Sequence, residues 1–179
     1  MSQVTRKDLF ANAAADFDHP LEMLAACHDR IEERCALLHR LSQHLEEAGA
    51  DSQARQAAAN VMRYFDTAGE NHHLDEEDDL FPRLLEADRE GCDALIARLK
   101  REHADMRRAW AALRTSLKRV EAGEGASLDP VEIKRFTKLY RAHIDLEERE
   151  LLPAAQRLLD GATLAATGES MAKRRGVRR

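Results

Sequence analysis

One pattern occurs twice in this chain. His72-x3-Glu76-Glu77-x2-Leu80-Phe81-Pro82 recurs 71 residues later as His143-x3-Glu147-Glu148-x2-Leu151-Leu152-Pro153. In an α-helix, residues i and i+4 lie one turn apart on one face, so each copy can aim an imidazole and a carboxylate at the same place. A helical segment with a further histidine, His28 or His103, precedes each copy. A chain built this way has to gather four helical faces around polar residues. Six ligands from four helices are enough to enclose a metal ion.

The apolar pattern agrees, because four segments carry stripes with the three- and four-residue spacing of amphipathic helices. Asp18-His19-Pro20 starts the first, with Asp18 placed to cap it and Pro20 tolerated in its first turn. Its stripe is Leu21, Leu24, His28, Ile31, Cys35, Leu38, Ser42 and Leu45, and Gly49 ends it. Asp51 or Ser52 caps the second segment, whose stripe runs Ala58, Val61, Phe65, Ala68, His72 and Glu76. Pro82 kinks or loosens this helix, and Gly91 closes it. The third stripe is Ile96, Leu99, His103, Met106, Trp110, Leu113, Leu117 and Val120, ending at Gly123-Glu124-Gly125. Asp129-Pro130 starts the fourth, which carries Ile133, Phe136, Tyr140, His143, Glu147 and Ala154 and ends near Gly161.

The predicted fold is all-α, an antiparallel up-down four-helix bundle over residues 18–161. An N-terminal arm occupies 1–17. Residues 162–179 are expected to be a flexible basic tail, because Lys173, Arg174, Arg175, Arg178 and Arg179 cluster there with Gly176. Counted from a turn near residue 50, His28 and His72 are each about 22 residues away, which sets them at similar depth in an antiparallel pair. His103 and His143 are less even, about 23 and 17 residues from a turn near 126, a mismatch that the Gly-rich loop can absorb.

Composition narrows the function classes. Charged residues make up 34% of the chain and aromatic residues 4%, which favours helices over β architectures. A net charge of −5, with basic residues massed only at one end, argues against nucleic acid as a partner. Three cysteines without a close-spaced pair argue against a disulfide framework or a zinc ribbon. Cys92 lies near a helix start, where the dipole can lower a thiol pKa, but no base or resolving cysteine accompanies it. The N-terminal segment shows neither a secretory leader nor a membrane span, so a cytoplasmic protein is expected. No Gly-rich phosphate loop or Ser-His-Asp arrangement is visible.

Four imidazoles with two carboxylates suit iron, manganese or zinc, whereas calcium and magnesium prefer oxygen. A lone histidine on an apolar stripe is more often a hydrogen-bonded core residue than a ligand. Here that reading has to hold for His28, His72, His103 and His143 together. It must also accommodate two buried carboxylates, Glu76 and Glu147, each costly if unpaired. Two ions fit better than one, since each carboxylate can bridge and positions remain for solvent and for dioxygen, nitric oxide or peroxide. His73 with Glu77 forms a second i,i+4 pair, but ~100° around the helix, which favours His72. Glu77 and Glu148 are candidates to orient ligand imidazoles. Tyr140, one turn before His143, can donate to a bound oxygen species, although packing is its commoner role. His19 could fold back as an extra ligand, while His39 and His44 read as surface residues.

Over about residues 20–160 these residues resemble the hemerythrin-like, or HHE cation-binding, proteins. The match rests on His28, His72 with Glu76, His103, His143 with Glu147, and the Glu-x2-Leu-Phe-Pro run. The resemblance implies a four-helix bundle around two iron ions, oxo- or hydroxo-bridged, with manganese or zinc less favoured. It also implies a small diatomic ligand or peroxide as partner. The oxygen-carrying members have His-x3-His on the third helix and His-x4-Asp on the fourth. Here Arg107 follows His103 at i+4, and Glu147 stands on the fourth helix. One imidazole fewer makes a more open site, less suited to reversible dioxygen carriage. The pattern is closer to the branch with iron–sulfur-cluster repair proteins, iron-sensing domains and proteins linked to nitric oxide or peroxide. A non-catalytic sensor or iron-handling module is the alternative it implies. The sequence names no protein partner and no oligomeric state.

Overall fold

A computed structural model describes residues 16–124 and 127–177. Most of the expected N-terminal arm therefore lies outside the described residues. Every regular element among those described is helical. In chain order they are α1 (Pro20–Ala48), α2 (Ser52–Tyr64), α3 (Glu70–Leu74), α4 (Phe81–Ala87), α5 (Arg89–Ala122), α6 (Pro130–Leu146), α7 (Leu152–Leu158) and α8 (Gly161–Arg174). The fold is all-α, a helical bundle. No helix among the described residues is long and apolar enough to cross a membrane.

Local chemistry sets the boundaries. The carboxylate at the start of α1 is Asp16 rather than Asp18: its Oδ1 accepts the Asp18 N–H at 2.9 Å and the His19 N–H at 3.1 Å. Gly49 ends α1 at φ 70°, a conformation open to glycine without a Cβ penalty. Asp51 caps α2 through the Ala54 N–H at 2.8 Å. Asp88, non-helical at φ −153° and ψ 85°, separates α4 from α5 and accepts the Gly91 N–H at 3.0 Å. Gly91 thus sits in the first turn of α5 and does not close the preceding segment. Capping by Asp88 outweighs the glycine signal there.

Among the described residues three π-helical turns interrupt the helices, Phe65–Gly69, Asp75–Leu80 and Glu147–Leu151. In the last two, Phe81 N–H bonds to Glu76 O and Leu152 N–H to Glu147 O, an i→i+5 closure. Pro82 or Pro153 comes next in each case and has no N–H to give. The prolines therefore accompany wide turns rather than breaks. A wide turn also moves the buried stripe by a residue. Gly69 is buried where Ala68 was expected, and Ala68 is only half-buried. His73 is buried beside His72, at 2% and 1% exposure, contrary to its expected place off the stripe.

The chain forms two compact units. The first comprises Met1–Asp29, Asn71–Arg98 and Ile144–Arg179. Leu24, Leu80, Phe81, Leu84, Leu151 and Met171 are inaccessible in it. Residues 162–174, expected as part of a basic tail, lie in helix α8 (Gly161–Arg174) in this unit. Asp160 caps it through the Thr163 N–H at 2.8 Å, and Arg174 and Arg175 pair with Asp75. The tail reading fails because these basic residues have buried acidic partners that composition cannot reveal.

The second unit comprises Arg30–Glu70 and Leu99–His143. Its core stacks aromatic rings, with the Phe65 centroid 5.0 Å from Trp110 and from Phe136 and 5.4 Å from Tyr140. Asp66 reinforces the first wide turn, accepting from Trp110 Nε1 at 2.9 Å and from Arg114 Nε at 2.8 Å.

Candidate metal centre

His28 comes from α1, His72 from α3, and Glu76 and Glu147 from the second and third wide turns. All four lie in the first unit and have 0–1% exposure. Each offers a ligand atom, and these atoms lie within 4.8 Å of one another. His28 Nε2 is 3.0 Å from Glu147 Oε2, and His72 Nε2 is 3.5 Å from Glu76 Oε1 and 3.8 Å from Glu147 Oε2. Two donors bound at right angles to one ion at ~2.1 Å sit ~3.0 Å apart, so the closest of these spacings matches a coordination sphere.

The electrostatics point the same way. Burial lowers the pKa of His28, but the carboxylates of Glu147 and Glu148 outweigh it and the net direction is up. His72 is pushed well above its ordinary value, with Glu76, the Cys27 thiol and Glu147 overcoming burial. Buried carboxylates here call for positive charge, which either protonated imidazoles or a cation can supply. Imidazole nitrogen with carboxylate oxygen is the donor set of a transition-metal ion. These residues fit a metal centre.

The second unit places His103 of α5 and His143 of α6 with their Nε2 atoms 3.0 Å apart, both fully buried. Glu102 Oε2 is 2.9 Å from His143 Nδ1. Sequence reading did not single out Glu102. Its only signal was its place next to a ligand candidate, the same relation Glu148 has to Glu147. Glu148 Oε1 lies 3.0 Å from His28 Nδ1, while Glu77 is half-buried. Tyr140 packs against Phe65 and Phe136, and burial pushes its hydroxyl well above the ordinary pKa. Arg107, standing where oxygen carriers have a histidine, reaches Glu70 with Nη2 to Oε1 at 3.1 Å.

His19, His39 and His44 have other partners. His19 Nδ1 is 2.8 Å from Asp16 Oδ1, half-exposed. His39 meets Thr137 at 3.3 Å and His44 meets Asp51 at 3.0 Å. Cys27, Cys35 and Cys92 are buried and reduced. Burial drives the Cys35 thiol up to about 12, and burial with Asp88 raises Cys92, against the expected helix-dipole effect.

Comparison with known proteins shows the family. An uncharacterized protein of Haemophilus influenzae is 31% identical over 164 residues, spanning 92% of this chain and 94% of the relative. Residues 19–155 match the hemerythrin HHE cation binding domain, a span that holds every ligand candidate named above. The chain belongs to the hemerythrin HHE cation-binding family.

Proposed function

We propose that this protein is a cytoplasmic, non-heme di-iron protein that reacts with a small oxidant or diatomic gas. The observation that carries the reading is the buried set His28, His72, Glu76 and Glu147, four donor atoms within 4.8 Å of one another. In this reading His28, His72, Glu76 and Glu147 would hold metal in the first unit, and His103 and His143 are the further imidazoles of the donor set. Iron so held supplies a redox-active centre with open positions for dioxygen, nitric oxide or peroxide. Having Arg107 in place of a further imidazole supports reaction over reversible carriage. A role in stress response or iron–sulfur-cluster repair is consistent with that chemistry.

Elemental analysis of the protein purified aerobically, and again after anaerobic iron reconstitution, tests the reading. About two iron atoms per chain are expected, as a dinuclear site requires. Glu76→Ala and Glu147→Ala should each lose most of that iron. Manganese or zinc in its place would correct the metal, and full iron loading in both variants would remove these residues from the site. Multiple turnovers of nitric oxide or peroxide are expected. Reversible binding without turnover would make the protein a sensor or iron-handling module instead.

A further inference from the structure

We infer that Arg174 and Arg175, at the end of α8, are positioning residues for Glu76: they clamp Asp75 and fix the wide turn that carries this ligand. The inference rests on Glu76 being a metal ligand, as proposed above. Both arginines lie outside the span that matches the family, residues 19–155. All the groups involved belong to the first unit.

Asp75 has no exposure and directly precedes Glu76. Arg175 grips its carboxylate at both oxygens, Nη2 to Oδ2 at 2.6 Å and Nη1 to Oδ1 at 3.1 Å. Arg174 Nη1 also donates to Asp75 Oδ1. The other nitrogen of that guanidinium, Nη2, reaches Asp79 Oδ2 at 2.8 Å and lies 3.5 Å from Asp78 Oδ2. Two arginines thereby hold both ends of the Asp75–Leu80 turn. Planar forked donors suit such contacts, which a lysine point charge cannot reproduce.

The turn needs holding. Asp75, Glu76, Glu77, Asp78 and Asp79 are five consecutive acidic residues. Their mutual repulsion opposes the wide turn that carries them. With Asp75 and Asp79 paired to arginine, Glu76 is the third buried carboxylate of the turn, 3.5 Å from His72 Nε2. A buried ion pair is a poor source of stability compared with apolar packing, but it fixes geometry.

Helix α8 is itself held in register. Thr167, Met171 and Ala172 are buried to 0–2% exposure. Gly168 lets the backbone of Phe17 come close, since an added Cβ would lie 1.9 Å from Phe17 O. The Arg175 guanidinium sits 5.9 Å from the centroid of the Phe17 ring. Sliding α8 along the unit would therefore break several contacts at once.

The test compares the full-length protein with R174A/R175A, R174K/R175K and Arg175→Gln. Iron(II) affinity is read by chelator competition, the visible spectrum is recorded on the iron-loaded protein, and melting is followed without metal. R174A/R175A should bind iron about 10–100-fold more weakly, the range for losing groups that orient metal ligands. Its spectrum should change, and the lysine pair should recover only part of the loss. Leu117→Ala, a core change in the second unit, should lower melting while leaving affinity alone. If the alanine pair does not fold, Arg175→Gln, which keeps Arg174 on Asp75, should still weaken iron binding severalfold. Wild-type affinity and spectrum in the arginine variants would overturn the inference while leaving the di-iron reading intact. Absence of iron binding by the unsubstituted protein would overturn both.

Discussion

Glu148 Oε1 lies 3.0 Å from His28 Nδ1, while Glu147 Oε2 lies 3.0 Å from Nε2 of the same ring. Consecutive glutamates on one wide turn therefore address the two nitrogens of a single histidine. A carboxylate can only accept, so Glu148 favours a proton on Nδ1, and a cation between Nε2 and Glu147 would take the place of a proton on Nε2. In the second unit Glu102 does the same for His143. Glu148→Ala and Glu102→Ala should each weaken iron binding about 10–100-fold. Glu148→Gln, which keeps an acceptor oxygen, should recover part of that loss. Chelator competition measures it, and unchanged affinity would make both glutamates ordinary surface residues.

Two glycines at α8 should answer substitution in opposite ways. At Gly168 a Cβ would meet Phe17 O at 1.9 Å, and at Gly161 nothing lies within 4 Å. Gly168→Ala has to displace backbone and should cost about 1–3 kcal/mol. Gly161→Ala should be neutral or stabilising by up to about 1 kcal/mol, by restricting the unfolded chain. Urea unfolding of the two variants separates the cases, and equal stabilities would show that Phe17 does not pack against α8.

A proline follows each of the wide turns that carry Glu76 and Glu147. Pro153→Ala restores an N–H, which permits ordinary i→i+4 closure across the Glu147–Leu151 turn. The variant should fold at least as stably as the parent, yet hold iron about tenfold more weakly, because Glu147 is carried away from His28. Melting and iron affinity, measured together, check this. A loss of stability at unchanged affinity would assign the proline to folding alone.

Asp66 supplies a pH signature away from the metal. The Arg114 hydrogen bond holds its carboxyl below the ordinary value, with burial opposing and Trp110 assisting. A depressed folded pKa means the contribution is fully present above the unfolded value of 3.8 and lost as pH falls through the lower folded value. Asp66→Asn should therefore cost about 1 kcal/mol at neutral pH. The gap from wild type should close on acidification below about pH 4. A gap that persists in acid would rule out the charge as its source.

Much of this protein is legible without coordinates. The stripe from Leu21 to Leu45 is buried at all eight positions, and His28, His72, Glu76, His103, His143 and Glu147 all lie in the interior. Asp51 and Gly49 mark their helix ends through local hydrogen bonds and backbone freedom. These features depend on residues within one or two turns, and that is why spacing reveals them. The repeated His-x3-Glu likewise determines the donor types, hence the class of metal, because i,i+4 geometry belongs to the helix itself.

What only the tertiary structure decided depends on distant partners. Arg174 and Arg175 read as a solvated basic run until Asp75, 99 and 100 residues away, is seen buried beneath them. Glu102 is one of many helix-surface glutamates until it meets His143. His73 is buried because wide turns on either side of α3 alter the helical phase, which a fixed period cannot anticipate. The sequence by itself determined the helices and the set of buried histidines and glutamates. Side-chain pairing across the folded chain, governed by desolvation and hydrogen-bond geometry, decided which carboxylates orient that set and which arginines hold it.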